Sequence, residues 1–355
     1  MVTEEQISEI LQNYDFDNLA IATVCSHSSL QIFDGARKEG FKTIGICVGN
    51  PPKYYDAFPK AKPDEFIIVD SYKDIPNMTD KFIEKNAILV PHGSFVEYVG
   101  ADNFANLKIP TFGNRDVLDW ESNRTKEREW LERAGIHMPR VINPQDINGP
   151  VMVKYQGAKG GRGFFIAKNY EEFKENVDPN ENYVVQEFIV GTRYYFHFFY
   201  SPLREEGYKL SKGTLEMLSM DRRVESNADE IFRLGSSKEL EDAGINPTYV
   251  VTGNVPLVAR ESLLPHVFSL GEKVVEESLS LFGGMIGPFC LETVVTDKLE
   301  IKVFEISARI VAGTNLYPSG SPYSDFIESD LSTGRRIAQE IKLAKSMDKL
   351  EKILS

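Results

Sequence analysis

Apolar and polar positions alternate along the first third of the chain in a βα rhythm. Residues 19–24, 43–48, 65–69 and 87–90 form short apolar runs rich in Val, Ile and Ala, which predicts four strands. Between the first two, residues 28–39 carry Leu30, Phe33 and Ala36 at helical spacing, with Ser28 and Ser29 as N-cap candidates. Alternation of this kind predicts an open, mostly parallel sheet, whose ligands bind at the carboxyl ends of the strands. Two polar segments fall at such ends, Ser26-His27-Ser28-Ser29 and Pro91-His92-Gly93-Ser94.

A helix is expected over residues 117–134, stopped by Gly135. The pattern then changes. Residues 150–155 and 164–168 read as strands around a glycine-rich loop, a short helix covers 170–177, and a strand follows at 183–189. Strand, glycine-rich turn, strand predicts a hairpin-like flap. Further strands are expected at 194–200, 215–221, 249–253, 287–296 and 299–309. A helix over 261–282 aligns Leu264, Val267, Leu270 and Val274, and a terminal packing helix covers 334–354.

Composition narrows the class. The 355 residues, 42% hydrophobic and 26% charged, suit two or three globular domains. A net charge of −13 argues against broad nucleic-acid binding, although it leaves room for one basic pocket. The acidic start (Glu4, Glu5, Glu9) does not read as a secretory signal, and no apolar run is long enough to span a membrane. Cys25, Cys47 and Cys290 lack metal-like spacing and read as buried thiols of a reduced, cytoplasmic protein.

Three features carry chemistry. The first is Gly157-Ala-Lys-Gly-Gly-Arg-Gly163 with Lys154 ahead of it. Glycines let backbone N–H groups approach phosphate oxygens, and Lys159 and Arg162 add charge. The run lacks the Gly-Lys-Ser/Thr ending of a P-loop, and the strand after it excludes a Rossmann fingerprint. A hairpin tip would also take the glycines but has no use for the cations. The second is Val184-Val-Gln-Glu-Phe-Ile-Val-Gly191, a candidate adenine-reading edge (Gln186, Glu187, Phe188, Ile189) that alone reads equally as a buried strand. The third is the strand Ile301-Lys-Val-Phe-Glu-Ile-Ser-Ala-Arg309. Alternation expects Ile301, Val303, Glu305, Ser307 and Arg309 on one face. Glu292, on the preceding strand, pairs with it across a turn at Asp297-Lys298. Two carboxylates in one cleft suit Mg²⁺ (or Mn²⁺), and a Glu–Arg ion pair tying the strands together is the competing reading.

In this order the features resemble the ATP-grasp superfamily. The segments Ile21-Ala-Thr-Val-Cys-Ser-His-Ser-Ser-Leu30, Val90-Pro-His-Gly-Ser-Phe95, Phe112-Gly-Asn-Arg115, Phe199-Tyr-Ser-Pro202, Arg260-Glu-Ser-Leu-Leu-Pro265 and Gly287-Pro-Phe289 are similar to the formate-dependent FAICAR synthetases (formate–phosphoribosylaminoimidazolecarboxamide ligases). The resemblance runs from about residue 18 to the end. It implies a Rossmann-like parallel α/β domain (1–122), a small ATP-grasp subdomain with the flap (123–200) and a large one with the metal site (201–355). It implies formylation of AICAR (5-aminoimidazole-4-carboxamide ribotide) with ATP and formate, in a homo-oligomer (trimer or hexamer) without nucleic-acid or membrane partners.

By resemblance, His27, Ser28, Ser94 and Asn254 bind AICAR. ATP lies along residues 145–190 (Lys154, Gly157, Lys159, Gly160, Gly161, Arg162, Gly163 and 186–189) and on Glu225. Glu292 and Glu305 hold the metal, and Arg309 and Lys154 are catalytic. One departure stands against it: Val311-Ala312 occupy positions where the pattern carries Asp-Gly, which implies a change of rate or of acceptor. The alternatives are an ATP-grasp ligase for another amine or acid, and a nucleotide sensor without turnover.

Overall fold

The structure, a computed structural model, describes residues 2–155, 163–226, 228–229, 242–244, 248 and 250–355. It contains three sheets. The first is fully parallel, in the order β3-β2-β1-β4, from β1 (Ala20–Val24), β2 (Lys42–Val48), β3 (Glu65–Val69) and β4 (Ala87–Leu89). All four match expected runs. β1 is buried along its whole length, which is why it reads as a continuous apolar run. Helix Ser29–Lys38 follows β1. Ser28 occupies its N-cap without capping it, because the hydroxyl is held by His27 Nδ1 at 2.7 Å.

The second sheet is small and antiparallel, β6-β5-β7, from β5 (Val151–Tyr155), β6 (Phe164–Ala167) and β7 (Tyr183–Glu187). β5 and β6 form the arms of the expected hairpin, closed by Tyr155 N–H donating to Gly163 O at 2.9 Å. Its tip, residues 156–162, lies outside the described residues.

The third sheet is antiparallel, β11-β10-β8-β12-β13 with β9 on β10. It comprises β8 (Thr192–Ser201), β9 (Tyr208–Lys209), β10 (Thr214–Glu225), β11 (Val251–Pro256), β12 (Gly287–Val295) and β13 (Ile301–Ser307). Helix Leu264–Phe282 covers one face through Val267, Leu270 and Val274.

Three expectations change. The long helix over 117–134 is two helices, Asp116–Ser122 and Arg124–Arg133. Asn123 breaks it by adopting an extended backbone and accepting from Thr125 N–H (3.0 Å) and Lys126 N–H (3.3 Å), an N-cap inside the periodic run. The border expected at residue 200 moves, because β8 pairs with β10 and β12, so the chain leaves the small sheet at Gly191. A Cβ there would come within 2.4 Å of Val295 O, so only glycine fits that crossing. The segment after residue 330 returns to the first sheet: helix Thr333–Ser346 packs on helix Ser29–Lys38, with Gly35 and Gly334 in backbone contact. No helix among the described residues is long and apolar enough to cross a membrane.

Candidate functional site

A fourth changed expectation concerns β13. Glu292 and Glu305 are direct cross-strand partners, and a register shift follows at once, with Thr293 opposite Val303. The extra residue, Phe304, is a bulge that resets the alternation. Ile301, Val303, Ile306 and Ala308 therefore belong to the core under helix Leu264–Phe282. Ile301 and Val303 do not share a face with Glu305, Ser307 and Arg309, as strict alternation required. A β-bulge re-aims Glu305 toward Glu292.

Two carboxylates placed directly opposite repel each other. Glu292 is 2% exposed, and its Oε1 accepts from Arg223 Nη2 at 2.6 Å and from Ser307 Oγ at 3.2 Å. Burial and the neighbouring Glu292 push the Glu305 carboxyl up to about 7, against the pull of Lys154 and Arg223. Burial lowers the Lys154 ammonium, which Glu305 opposes, and its Nζ sits 5.5 Å above the Phe304 ring. Burial alone would lower the Arg223 guanidinium, but Glu292 raises it above its ordinary value.

Arg223 was not predicted. Its signal was the alternation Asp221, Arg223, Glu225 along β10, three charges on one face of a strand expected to end at 221. Arg223 also lies over Tyr195, 4.0 Å from the ring centroid. Glu225 at the end of this row forms an ion pair with Arg193.

Helix-borne carboxylates support β13 from its open edge. Glu127 Oε1 accepts Ile306 N–H at 2.8 Å, and Glu121 Oε2 accepts Ala308 N–H at 2.9 Å. Glu121 Oε1 also holds Arg309 Nη2 at 2.9 Å. The break at Asn123 separates the two helices that carry these glutamates. Sequence periodicity marked neither residue, since each reads as an exposed helical charge.

On the other side of Arg309 lie the polar ends of the first sheet. A parallel bridge joins His92 to Ile310. A Cβ on Gly93 would meet His27 Nε2 at 2.8 Å and Arg309 Cζ at 3.4 Å, so Gly93 leaves room for both. His27 adopts φ +52° and stacks on His92, with ring centroids 5.2 Å apart. Ser94 Oγ is within 3.5 Å of Ser26 Oγ. Asn254 Nδ2 donates to Asp221 Oδ2 at 2.7 Å.

Burial lowers both imidazoles, His27 to about 3 and His92 to about 4, with Arg309 adding to each. Both therefore stay neutral, and His92 Nε2–H donates to Val24 O at 2.9 Å. A histidine depressed on folding takes its proton first in the unfolded chain. Its contribution is complete above about pH 6.5 and is lost as pH falls toward the folded value. For buried His92 this amounts to about 2 kcal/mol between pH 6.5 and pH 5. Denaturant midpoints of the wild type and His92→Gln at pH 7.5 and pH 5 check this. The variant is expected to lose less on acidification, and equal losses contradict the assignment.

The structure thus gathers Lys154, Arg223, Glu292 and Glu305 in one charged cluster, with Arg309 beside His27 and Gly93. It leaves other predicted residues on the margin. β7 is already bridged on its outer edge: Glu187 N–H donates to Arg140 O, Ile142 N–H to Val185 O, and Val141 pairs with Gln186. The Glu187 carboxylate is taken by Arg140 Nε at 3.1 Å. That leaves Phe188 and Ile189, beyond the strand end, as the part of the expected adenine edge not paired in the sheet. Gly157, Lys159, Gly160, Gly161 and Arg162 lie outside the described residues. Val311 is 6% exposed and packs with Tyr195, Cys290 and Phe304, so an aspartate there would be buried among apolar groups.

The donor set fits a hard cation. Glu292 Oε1 is engaged, Glu305 is strained by its neighbour, and both offer oxygen. Among the described residues no group of three or more His, Cys, Asp or Glu side chains could hold a metal alone, so a cation here needs further oxygens from a bound phosphate or water.

Comparison with known proteins gives two family models: "Domain of unknown function (DUF1297)" over residues 170–355 and "Protein of unknown function (DUF1246)" over residues 21–142. The chain is 78% identical, over 100% of both chains, to a protein of Methanococcoides burtonii named 5-formaminoimidazole-4-carboxamide-1-(beta)-D-ribofuranosyl 5'-monophosphate synthetase. A Methanosarcina acetivorans protein of the same name is 73% identical over 100% of both chains. Among solved structures, an IMP biosynthesis protein PurP from Thermococcus kodakaraensis superposes with a TM-score of 0.73 at 32% identity, over 94% of this chain and 100% of that one. N5-carboxyaminoimidazole synthetase from Staphylococcus aureus, complexed with ADP, superposes with a TM-score of 0.63 at 14% identity, over 91% and 76%, a likeness of fold.

Proposed function

The chain belongs to the family of 5-formaminoimidazole-4-carboxamide ribotide synthetases, and from that premise we propose that it formylates AICAR with formate and ATP, releasing FAICAR, ADP and phosphate. It is an ATP-dependent carbon–nitrogen ligase of purine biosynthesis with the ATP-grasp fold behind a parallel α/β domain. The observation that carries the mechanism is the bulged pair Glu292–Glu305, with Lys154 on one side and Arg309, beside His27 and Gly93, on the other.

Formate is a poor electrophile and must first be activated. Its oxygen attacks the γ-phosphorus of ATP, ADP leaves, and formyl phosphate forms. Such transfers depend on alignment and charge neutralisation. Lys154 holds phosphate oxygens, and Arg223, fixed by Glu292, adds a second buried cation. Glu292 and Glu305 would hold Mg²⁺, which would supply Lewis-acid neutralisation of the phosphates when bound. Arg309 neutralises charge at the acyl phosphate, where the cleft meets the first sheet. The AICAR 5-amino nitrogen then attacks the formyl carbon, the C–O bond to phosphate breaks, and the amine loses a proton. His27, Ser28, Ser94 and Asn254 hold the ribotide, and Phe188, Ile189 and Glu225 lie along the ATP path. The enzyme works in the cytoplasm as a homo-oligomer.

The test is direct. Purified protein with ATP, formate and AICAR is expected to yield ADP and FAICAR in equal amounts, and to yield neither when any one is omitted. ADP without FAICAR, recovered by exchanging AICAR for another amine, would make it a ligase for a different acceptor. Tight ATP and AICAR binding with no turnover would make it a sensor.

A further inference from the structure

Asp221 on β10 and His197 on β8 form a buried polar pair that no step above uses. Asp221 is 1% exposed and His197 is 2% exposed. His197 Nε2 lies 2.6 Å from Asp221 Oδ1, and Asn254 Nδ2 lies 2.7 Å from Asp221 Oδ2. An ionised carboxylate only accepts, so both neighbours must donate to it. The identity of the Asn254 atom facing Asp221 is therefore fixed by chemistry: it is the NH₂ group. No hydrogen bond to Asn254 Oδ1 occurs among the described residues.

The relay is built into the fold. A Cβ on Gly313 would stand 2.2 Å from Asp221 Oδ1, so that backbone closes over the carboxylate. The same turn, Ala312–Leu316, places Asn315, whose Nδ2 donates to His27 O at 3.0 Å. Asn254 is also the register partner of Arg223, which holds Glu292. Asp221 and Asn254 thus stand between the loop of His27 and the carboxylate pair.

We propose that Asp221, backed by His197, is a positioning residue that locks the Asn254 amide with its carbonyl oxygen outward, so that the site reads an N–H donor of the acceptor substrate. This rests on the reading of that substrate as an aminoimidazole ribotide, which presents amino and carboxamide N–H groups. A site built around a fixed acceptor disfavours a ligand lacking the donor, because the oxygen, covered by the ligand, is then left unpaired. The consequence is a sequence-coded choice between donor and acceptor faces, set by a carboxylate that itself need not touch the substrate.

The experiment uses the full chain and AICAR, with wild-type binding measured first by calorimetry. In Asp221→Asn the amide of Asn254 loses its fixed orientation. KM for AICAR is expected to rise about tenfold, with kcat changed less than about twofold and KM for ATP unchanged. Asn254→Ala, at a partly exposed position, removes the acceptor, leaves Asp221 Oδ2 without its donor, and is expected to raise KM similarly. The exchange Asp221→Asn with Asn254→Asp restores the relay. The new amide at 221 accepts from His197 and donates to the new carboxylate at 254, which again offers an acceptor outward. KM is expected to return to within about threefold of wild type, a rescue that a packing role would not give. Folded Asp221→Asn or Asn254→Ala protein with wild-type KM overturns the proposal, as does a folded exchange variant without rescue. A wild type that fails to bind AICAR overturns the functional reading itself.

Discussion

Glu305→Gln is expected to lower formylation about a thousandfold while leaving the folding midpoint unchanged or higher. The carboxylate stands directly opposite Glu292, and burial with that neighbour raises it to about 7. Glutamine keeps the shape, removes the repulsion and gives up the anionic oxygen that a cation and its phosphates require. Activity and stability should therefore move in opposite senses, the pattern of a site held under electrostatic strain for function. Turnover at saturating Mg²⁺, measured beside a thermal melt, decides it. Near wild-type turnover removes Glu305 from the mechanism, and a large loss of stability makes the pair a structural tie.

Arg309→Met is expected to cost about 100-fold to 1,000-fold in kcat with little change in KM for ATP. Arg309 is held by Glu121 at 2.9 Å and abuts Gly93 and His27 where the two halves of the cleft meet. Its charge matters most when the acyl phosphate is formed and broken. Arg309→Lys should recover only part of the loss, because an ammonium lacks the planar fork that meets Glu121 and a phosphate oxygen together. Steady-state kinetics on the three proteins test this, and an unchanged kcat in Arg309→Met contradicts the role.

How far the sequence reaches is clearest at β13. The short connection at Asp297-Lys298 paired the two strands, and alternation placed Glu305, Ser307 and Arg309 together. It missed the bulge at Phe304, because a one-residue register shift leaves no mark where Val303 and Phe304 are both apolar. The parallel sheet was legible because β1, the interior of β2 and β4 are buried on both faces and, with the half-exposed β3, read as unbroken apolar runs. The helix break at Asn123 was not, since an asparagine in a polar helical stretch gives the same pattern whether it caps or continues. Glu121 and Glu127 were lost with it, as their partners are backbone N–H groups 187 and 179 residues away. The relay from His197 to Asn254 likewise spans three strands. Contacts of that range are fixed by topology and not by spacing.

The central claim is that formate is activated by phosphoryl transfer before the amine attacks. Formate carrying ¹⁸O in both oxygens, incubated with ATP, AICAR and the enzyme, tests it in one measurement by mass spectrometry of both products. Formyl phosphate formation predicts one ¹⁸O in each phosphate released and one in each FAICAR formyl group. Phosphate free of ¹⁸O, accompanied by FAICAR formation, would contradict the account, since the oxygen lost from formate would then have gone elsewhere.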